Sequence, residues 1–264
     1  AMDAVLRIWL DGEARLRWFV VAGLFSALAA ADELPALSLL VLLSAALMAR
    51  NWRAWLAGFL PAAALVVAAF FATNYAAHSS VRPPYMHRSA ADAEDNWYAY
   101  SYSLEGRPRQ SYWLRPQGLD VGEPSKLRYA AHALAGHHGV FSLTPMWLLS
   151  VWGLWLWIRG ADGGLKQIAA GIALVSLVCI VFYLGLRPQQ DRNYGGMTAG
   201  FRWLFWLAPL WLLAMIPAAD RLAATRLRMA MALVLLVFSV LSASYPTWNP
   251  WTHPWIYRWM GLPG

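Results

Sequence analysis

Apolar residues run in long blocks along this chain, most of them closed by Arg or Lys, and one long polar stretch interrupts them. Residues Trp52–His78, 141–158, 166–186, 201–218 and 228–243 are each long enough, or nearly so, to cross a bilayer. Roughly 20 apolar residues of helix span roughly 30 Å of hydrocarbon. Residues 18–49 are also apolar but are broken by Asp32-Glu33-Leu34-Pro35. One continuous span there would place two carboxylates in hydrocarbon, at roughly 2.5–3.5 kcal/mol for an Asp, and Pro35 would lose a helical hydrogen bond. Two short helices meeting at an outer-side turn are expected instead. Glu33 and Pro35 then sit in the first turn of the second, where a carboxylate suits the helix dipole and Pro lacks no needed donor. The pattern predicts an all-α polytopic membrane helix bundle of about seven helices, the first two short, with one long outer loop between residues 79 and 139. It reads as a single membrane domain over residues 1–264. An interfacial or truncated edge occupies 1–17, helices 1–3 occupy 18–78 and helices 4–7 occupy 140–243, with a Trp/Pro-rich outer tail at 244–264.

Basic residues orient the bundle. Arg7, Arg15 and Arg17 precede the first apolar run, Arg50 and Arg53 flank the next turn, Arg159 and Lys166 bracket another, and Arg221, Arg226 and Arg228 lie between the last two helices. These turns are expected on the cytoplasmic side. Residues 79–139, 187–199 and the tail then lie outside; a loop of about 60 residues escapes the charge rule, so its own Arg residues do not reverse this. Residues 124–135 read as a short amphipathic helix along the outer membrane surface, with Leu127, Ala130, Ala131 and Leu134 on one face. The tail is expected to be an interfacial anchor packed under the outer loop, its Pro residues preventing a long helix. Residues 1–17 suit either a surface helix carrying Val5, Ile8, Trp9 and Leu16 or the cut edge of a longer chain, and Ala1 ahead of Met2 suggests that the true start lies elsewhere.

Composition sharpens the picture. Of 264 residues, 59% are hydrophobic and only 13% charged, where a soluble domain carries about 25%. The 17 Trp and 11 Tyr suit headgroup-level rings. Net charge is +7, but the basic residues sit at helix ends, with no basic groove interleaved with aromatics, so no nucleic-acid partner is expected; membrane lipid is. Cys179 stands alone, which excludes a disulfide framework and reads as a small buried hydrophobe.

Four groups of residues are candidates for chemistry. Asp32 and Glu33, carboxylates at membrane depth, suit metal or sugar binding or proton transfer, or simply a capped turn at the surface. His137 and His138, flanked by Gly136 and Gly139 at a helix start, suit a phosphate or sugar, with Ser142 and Thr144 as caps. They equally suit interfacial histidines bonded to loop backbone. A divalent metal using them with His132, Asp120 or Glu123 matches no zinc spacing. Asp191, Arg192 and Tyr194 precede Arg202 in a Gly-rich outer loop. Arg192 and Arg202 together suit a phosphate; alternatively Arg202 pairs with Asp191 or Asp32 to lock the bundle. Asp92, Glu94, Asp95, Trp97 and Tyr98, with Tyr100, Tyr102, Tyr112 and Trp113, suit sugar stacking or ordinary loop packing. There is no P-loop, GxSxG, HExxH or CxxC pattern, and Ser or Cys nucleophile chemistry has no support in the sequence.

Three stretches carry a family resemblance. Residues 17–37 (RWFVVAGLFSALAAADELPAL) pass from a basic turn through a Gly/Ala-rich helix and a polar break into a Leu-rich helix. Residues 50–61 (RNWRAWLAGFLP) lead to Asn74-Tyr75, and residues 194–203 (YGGMTAGFRW) precede a Pro-containing helix. Together with residues 136–145 (GHHGVFSLTP) these resemble the GT-C-type integral membrane glycosyltransferases of the protein-mannosyltransferase-like group, in uncharacterised bacterial form. The resemblance implies transfer of a sugar from a polyprenyl-phosphate carrier to an acceptor on the outer face of the bacterial inner (cytoplasmic) membrane. A lipid-phosphate-linked sugar is then the donor, and no other cofactor is implied. Arg202 and Arg192 would stabilise the leaving phosphate, assisted by His137 or His138, while Asp32 and Glu33 bind sugar hydroxyls or hold Arg202. The family's acid-bearing first outer loop has no counterpart before Trp18, so the chain resembles either the C-terminal half of such a protein, inactive without its missing segment, or a divergent member, and no catalytic residue is assigned. The competing class is a non-enzymatic membrane protein: transporter, lipid-handling subunit or scaffold. A metal-dependent hydrolase using His137 and His138 is a third reading.

Overall fold

The computed structural model describes residues 1–89, 92 and 94–262; Ala93, inside the acidic run of the long loop, lies outside them. Four helices are long and apolar enough to cross a membrane: Trp52–His78, Gly163–Leu186, Arg202–Ala223 and Arg226–Ser244. They are what an integral membrane protein presents. The chain divides into two compact units, one holding Ala14–Gln117 and the other Met2–Glu13 with Gly118–Gly264.

In the first unit the polar break acts as expected. Helix α2 (Leu16–Asp32) stops there, Leu34–Ala36 makes one 3-10 turn around Pro35, and α3 (Leu37–Arg50) follows. The local placement differs, however. Asp32 is the last residue of α2, and the Glu33 side chain makes no capping bond although its backbone occupies the N-cap of the 3-10 turn. The Pro35 ring fixes a tight turn ahead of α3, so the carboxylates fall outside the first α-helical turn. Helix α4 (Trp52–His78) follows the turn at Asn51, whose side chain accepts the Ala54 N–H at 3.1 Å. Helix α2 packs on α4 through Phe19, Ala22, Gly23, Ser26 and Ala27. The loop beyond α4 is folded. Strands β1 (Ser101–Leu104) and β2 (Arg107–Gln110) pair antiparallel, with Glu105 and Gly106 both at positive φ, the turn geometry that matches strand twist.

In the second unit α1 (Met2–Trp9) buries Ala4, Val5 and Ile8, and the Trp9 indole donates to Gln167 Oε1 at 2.8 Å. The expected surface helix is therefore packed on the protein. Helix α5 (Lys126–Leu134) exists where predicted, but a different face is buried. Tyr129 and Ala133 are inside, while Leu127 is 82% exposed. The i, i+4 pair that meets tertiary partners wins over the longer apolar stripe.

The span expected over 141–158 is interrupted. Short helix α6 (Val140–Leu143) ends at Thr144, and α7 (Trp147–Gly160) restarts beyond Pro145. Pro pushes the preceding residue out of the helical region, and Thr144 accordingly sits at φ −132°, ψ 71°. The unpaired Met146 N–H at the restart is taken by Ser239 Oγ at 3.2 Å, on α10 (Arg226–Ser244). Helix α8 (Gly163–Leu186) carries buried Cys179. Helix α9 (Arg202–Ala223) begins with a 3-10 turn, Arg202–Leu207, and packs tightly on α7. Leu149, Leu156, Met215, Ala218 and Leu222 form that seam. Ser150 Oγ donates across it to the Trp211 carbonyl at 2.8 Å, and the Trp211 indole donates to Ser176 Oγ on α8 at 2.9 Å. Helix α10 buries only Ser239 and Ser242 and exposes a nearly continuous apolar surface from Leu227 to Leu241. Such a surface is stable against lipid, not water.

Candidate functional site

In the second unit three polar segments close one end: residues 118–139, the loop 187–201, and the tail ending in α11 (Trp255–Trp259). Backbone and side chains brace the first two. Glu123 N–H donates to the Arg192 carbonyl at 3.0 Å, Arg192 Nη1 donates to the Pro124 carbonyl at 2.7 Å, and Asn193 Nδ2 donates to Asp120 Oδ1 at 2.9 Å. Arg192 is buried, so it serves as a cross-brace between loops. Asp191 pairs with Arg187 at 3.1 Å. The two arginines proposed for one phosphate thus differ in kind: Arg192 is engaged with the fold.

Arg202 is not. It is half-buried at the start of a candidate span, stacked on Trp203 with its guanidinium carbon 4.9 Å from the ring centroid. Among the described residues of its unit it makes no ion pair or hydrogen bond, and Asp191 pairs with Arg187, so the expected lock to Asp191 does not form. Its position depends on the preceding turn. Tyr194, Gly195 and Gly196 lie consecutively at φ 60°, 100° and 82°. A Cβ on Gly195 would lie 2.8 Å from Arg202 Cβ, so both the φ and the close approach require glycine there. A left-handed Tyr costs roughly 1–2 kcal/mol; the packing around the Tyr194 ring, which is 1% exposed, outweighs that cost.

That packing is a cluster of rings. Tyr194 stacks on His138 (4.8 Å, 18°) and lies 4.8 Å from Tyr129. His137 stacks on His132 (4.1 Å) and meets Tyr257 edge-on at 5.1 Å, and His253 stacks on Tyr257 at 4.4 Å. The tail therefore packs directly over the Gly136–Gly139 turn. His137 and His138 share an Nδ1···Nδ1 hydrogen bond of 2.5 Å, which requires one ring to donate and the other to accept. Burial is the main cause holding both neutral. It brings His137 down to about 4, with help from His132 and His253, and His138 down to about 2, with help first from His137. Burial raises the Tyr129 and Tyr194 hydroxyls. His138 Nε2 and the Tyr194 hydroxyl have no partner among the described residues.

This differs from a ligand-facing pair at an open helix start. The following helix is one turn long, Ser142 Oγ turns back to donate to the Gly136 carbonyl at 2.5 Å, and Thr144 ends the helix. No group of three His, Cys, Asp or Glu side chains among the described residues is placed to hold a metal; stacked imidazoles do not aim their nitrogens at one point. Tyr129, His253 and Tyr257 belong to this cluster and were not singled out by sequence. The signal for the last two was His253 and Tyr257 four residues apart in a Pro-bounded segment.

A narrow apolar cleft of about 80 Å³ adjoins the same elements, lined by Leu134, Val140, Trp147, Ser176, Leu204 and Trp211 among others. The 3-10 turn Arg202–Leu207 supplies both the Arg202 cation and the Leu204 wall. Asp32 and Glu33 lie in the first unit; Glu33 is exposed less than its neighbour Leu34, and both acids sit at the break described above. No known family, curated protein or solved structure matches this chain.

Proposed function

We propose that this chain binds a polyprenyl-phosphate carrier and belongs to a glycosyltransferase system of the GT-C kind, acting on the outer face of a bacterial inner membrane. The observation that carries the reading is the 3-10 turn Arg202–Leu207. It joins an uncommitted guanidinium to the wall of an apolar cleft. A lipid phosphate has the matching parts: an anion for the five N–H donors of an Arg, and an isoprenoid chain for apolar walls. In the reaction itself the sugar–phosphate bond breaks, and Arg202 stabilises the charge left on the phosphate. The sequence resemblance supplies the sugar; the second unit supplies the carrier site.

The runner-up is a lipid-handling protein without turnover. It is favoured by two acids of the braced loops: Asp191 pairs with Arg187 and Asp120 accepts from Asn193, so both have structural partners.

The test is native mass spectrometry of the chain released from nanodiscs containing polyprenyl phosphate. Wild type is expected to retain the carrier. Arg202→Ala is expected to weaken retention at least tenfold, about 1.4 kcal/mol, and Arg202→Lys to restore part of it. Equal retention by Arg202→Ala contradicts the proposal. Sugar transfer to acceptor by the same preparation separates the enzyme reading from the lipid-handling one.

A further inference from the structure

The first unit carries a separate chain of polar side chains just beyond α4. Ser79 ends that helix in the left-handed region, at φ 54°, and turns the backbone. Ser80 Oγ then lies 3.1 Å from His87 Nε2, and His87 Nδ1 lies 2.6 Å from Asp95 Oδ1. The hydrogen-bond directions follow from the donors present. Asp95 as a carboxylate can only accept, so His87 Nδ1 carries the proton and Nε2 accepts from the Ser80 hydroxyl. The Arg82 backbone N–H donates to Ser80 Oγ at 3.1 Å, which occupies an oxygen lone pair and leaves the hydroxyl proton for His87.

Each member is held. Trp97 N–H donates to the His87 carbonyl at 3.0 Å and Ser89 N–H to the Asp95 carbonyl at 3.2 Å, so the antiparallel bridge between Arg88 and Asn96 sets His87 diagonally across from Asp95. The His87 ring lies flat on Trp97 (3.8 Å, 5°). The Arg82 guanidinium grips both Asp95 oxygens at 3.2 Å. His87 is buried, whereas Ser80 is half-buried and has exposed Val81, Tyr85 and Met86 around it in sequence. That surface suits an acyl chain.

We propose that Ser80, His87 and Asp95 form an ester-cleaving site, whose substrate is a carboxylic ester of an amphiphile lying at the membrane surface. Nucleophile, base and orienting carboxylate stand in the order that acyl transfer requires. Ser80 Oγ attacks the ester carbonyl carbon while its proton passes to His87 Nε2. The C–O bond to the alcohol breaks, and the alcohol leaves with that proton, giving acyl-Ser80. Water then attacks the acyl carbon, yields a proton to His87 Nε2, and releases the carboxylic acid as Ser80 regains the proton. Ester and water give acid and alcohol. Asp95 is a positioning residue that fixes the His87 tautomer. The site is independent of the carrier reading.

A fluorophosphonate probe tests this on the full chain in nanodiscs, with peptide mass spectrometry locating the adduct. The expected result is a phosphonyl adduct on Ser80, absent in Ser80→Ala and formed about 100-fold more slowly in His87→Ala or His87→Gln, the size of a lost general base. Asp95→Asn is expected to shift the pH dependence of labelling, which a merely structural role would not do. A wild-type protein that carries no adduct at Ser80, or a folded His87 variant labelled at the wild-type rate, overturns the proposal.

Discussion

Acidifying the protein from pH 7 towards pH 4 is expected to release the tail from the Gly136–Gly139 turn and destabilise the second unit. The sign follows from the buried imidazoles. His137 is lowered to about 4 and His138 to about 2 in the folded chain, mainly by burial, while unfolded imidazoles titrate near 6.5. Below about pH 6.5 the unfolded chain binds protons that the folded chain refuses, so stability falls with pH. The contribution is complete above the unfolded value and is lost as pH drops towards about 4, where it amounts to on the order of 3 kcal/mol for His137 alone. His253 is displaced in the same direction, by burial first and Arg258 second. Protonation also breaks the Nδ1···Nδ1 bond, since two N–H groups would then face each other. Hydrogen exchange of residues 252–259, measured stepwise between pH 7.5 and 4.5, reads the effect directly. Protection is expected to fall between pH 6.5 and 4.5, and less steeply in the His137→Phe/His138→Phe double variant. Protection that stays flat over that interval contradicts the account of the cluster.

Gly153→Leu is expected to destabilise the second unit by about 3 kcal/mol or more, the upper range for overfilling a packed seam. A Cβ at Gly153 would run into the Ala214 carbonyl, with the Pro217 ring behind it, so backbone lies where the side chain must go. Backbone cannot swing aside as a side-chain tip can. Close approach through small residues is how helices associate where lipid removes the hydrophobic drive between them. Separating α7 from α9 also lengthens the Ser150–Trp211 and Trp211–Ser176 hydrogen bonds, which tie three helices together. Thermal unfolding in detergent measures this, and Gly160→Leu, where a Cβ meets nothing within 4 Å, is the control. A Gly153→Leu protein that melts with the control refutes the close-packed seam.

The spans and the break at Asp32–Pro35 were legible because hydropathy and Pro act locally. Pro145 carried the same kind of signal, and the restart at Trp147 shows that it outweighed the apolar run around it. What local patterns miss is partner choice. On α5 an apolar stripe pointed to Leu127, yet Tyr129 is buried because Tyr194 and Phe201 arrive from another loop. His137 and His138 looked open because flanking glycines suggested access; the tail, more than 100 residues later, covers them. Arg192 and Arg202 looked equivalent by type and spacing. Only the Pro124 carbonyl, reached through folding of the long loop, separates the brace from the unpaired cation. Ser80, His87 and Asp95 match no motif because a turn and a short backbone ladder, not a spacing rule, bring them together.

Photocrosslinking tests the central claim most directly. A polyprenyl-phosphate sugar with a diazirine in its isoprenoid chain, incorporated in nanodiscs with the full chain, is expected to label the cleft, at Val151, Ile180, Leu204 or Trp211, and to lose most of that labelling in Arg202→Ala. Labelling confined to the outward apolar face of Arg226–Ser244, or unchanged by Arg202→Ala, would show that the lipid contacts this protein only as solvent.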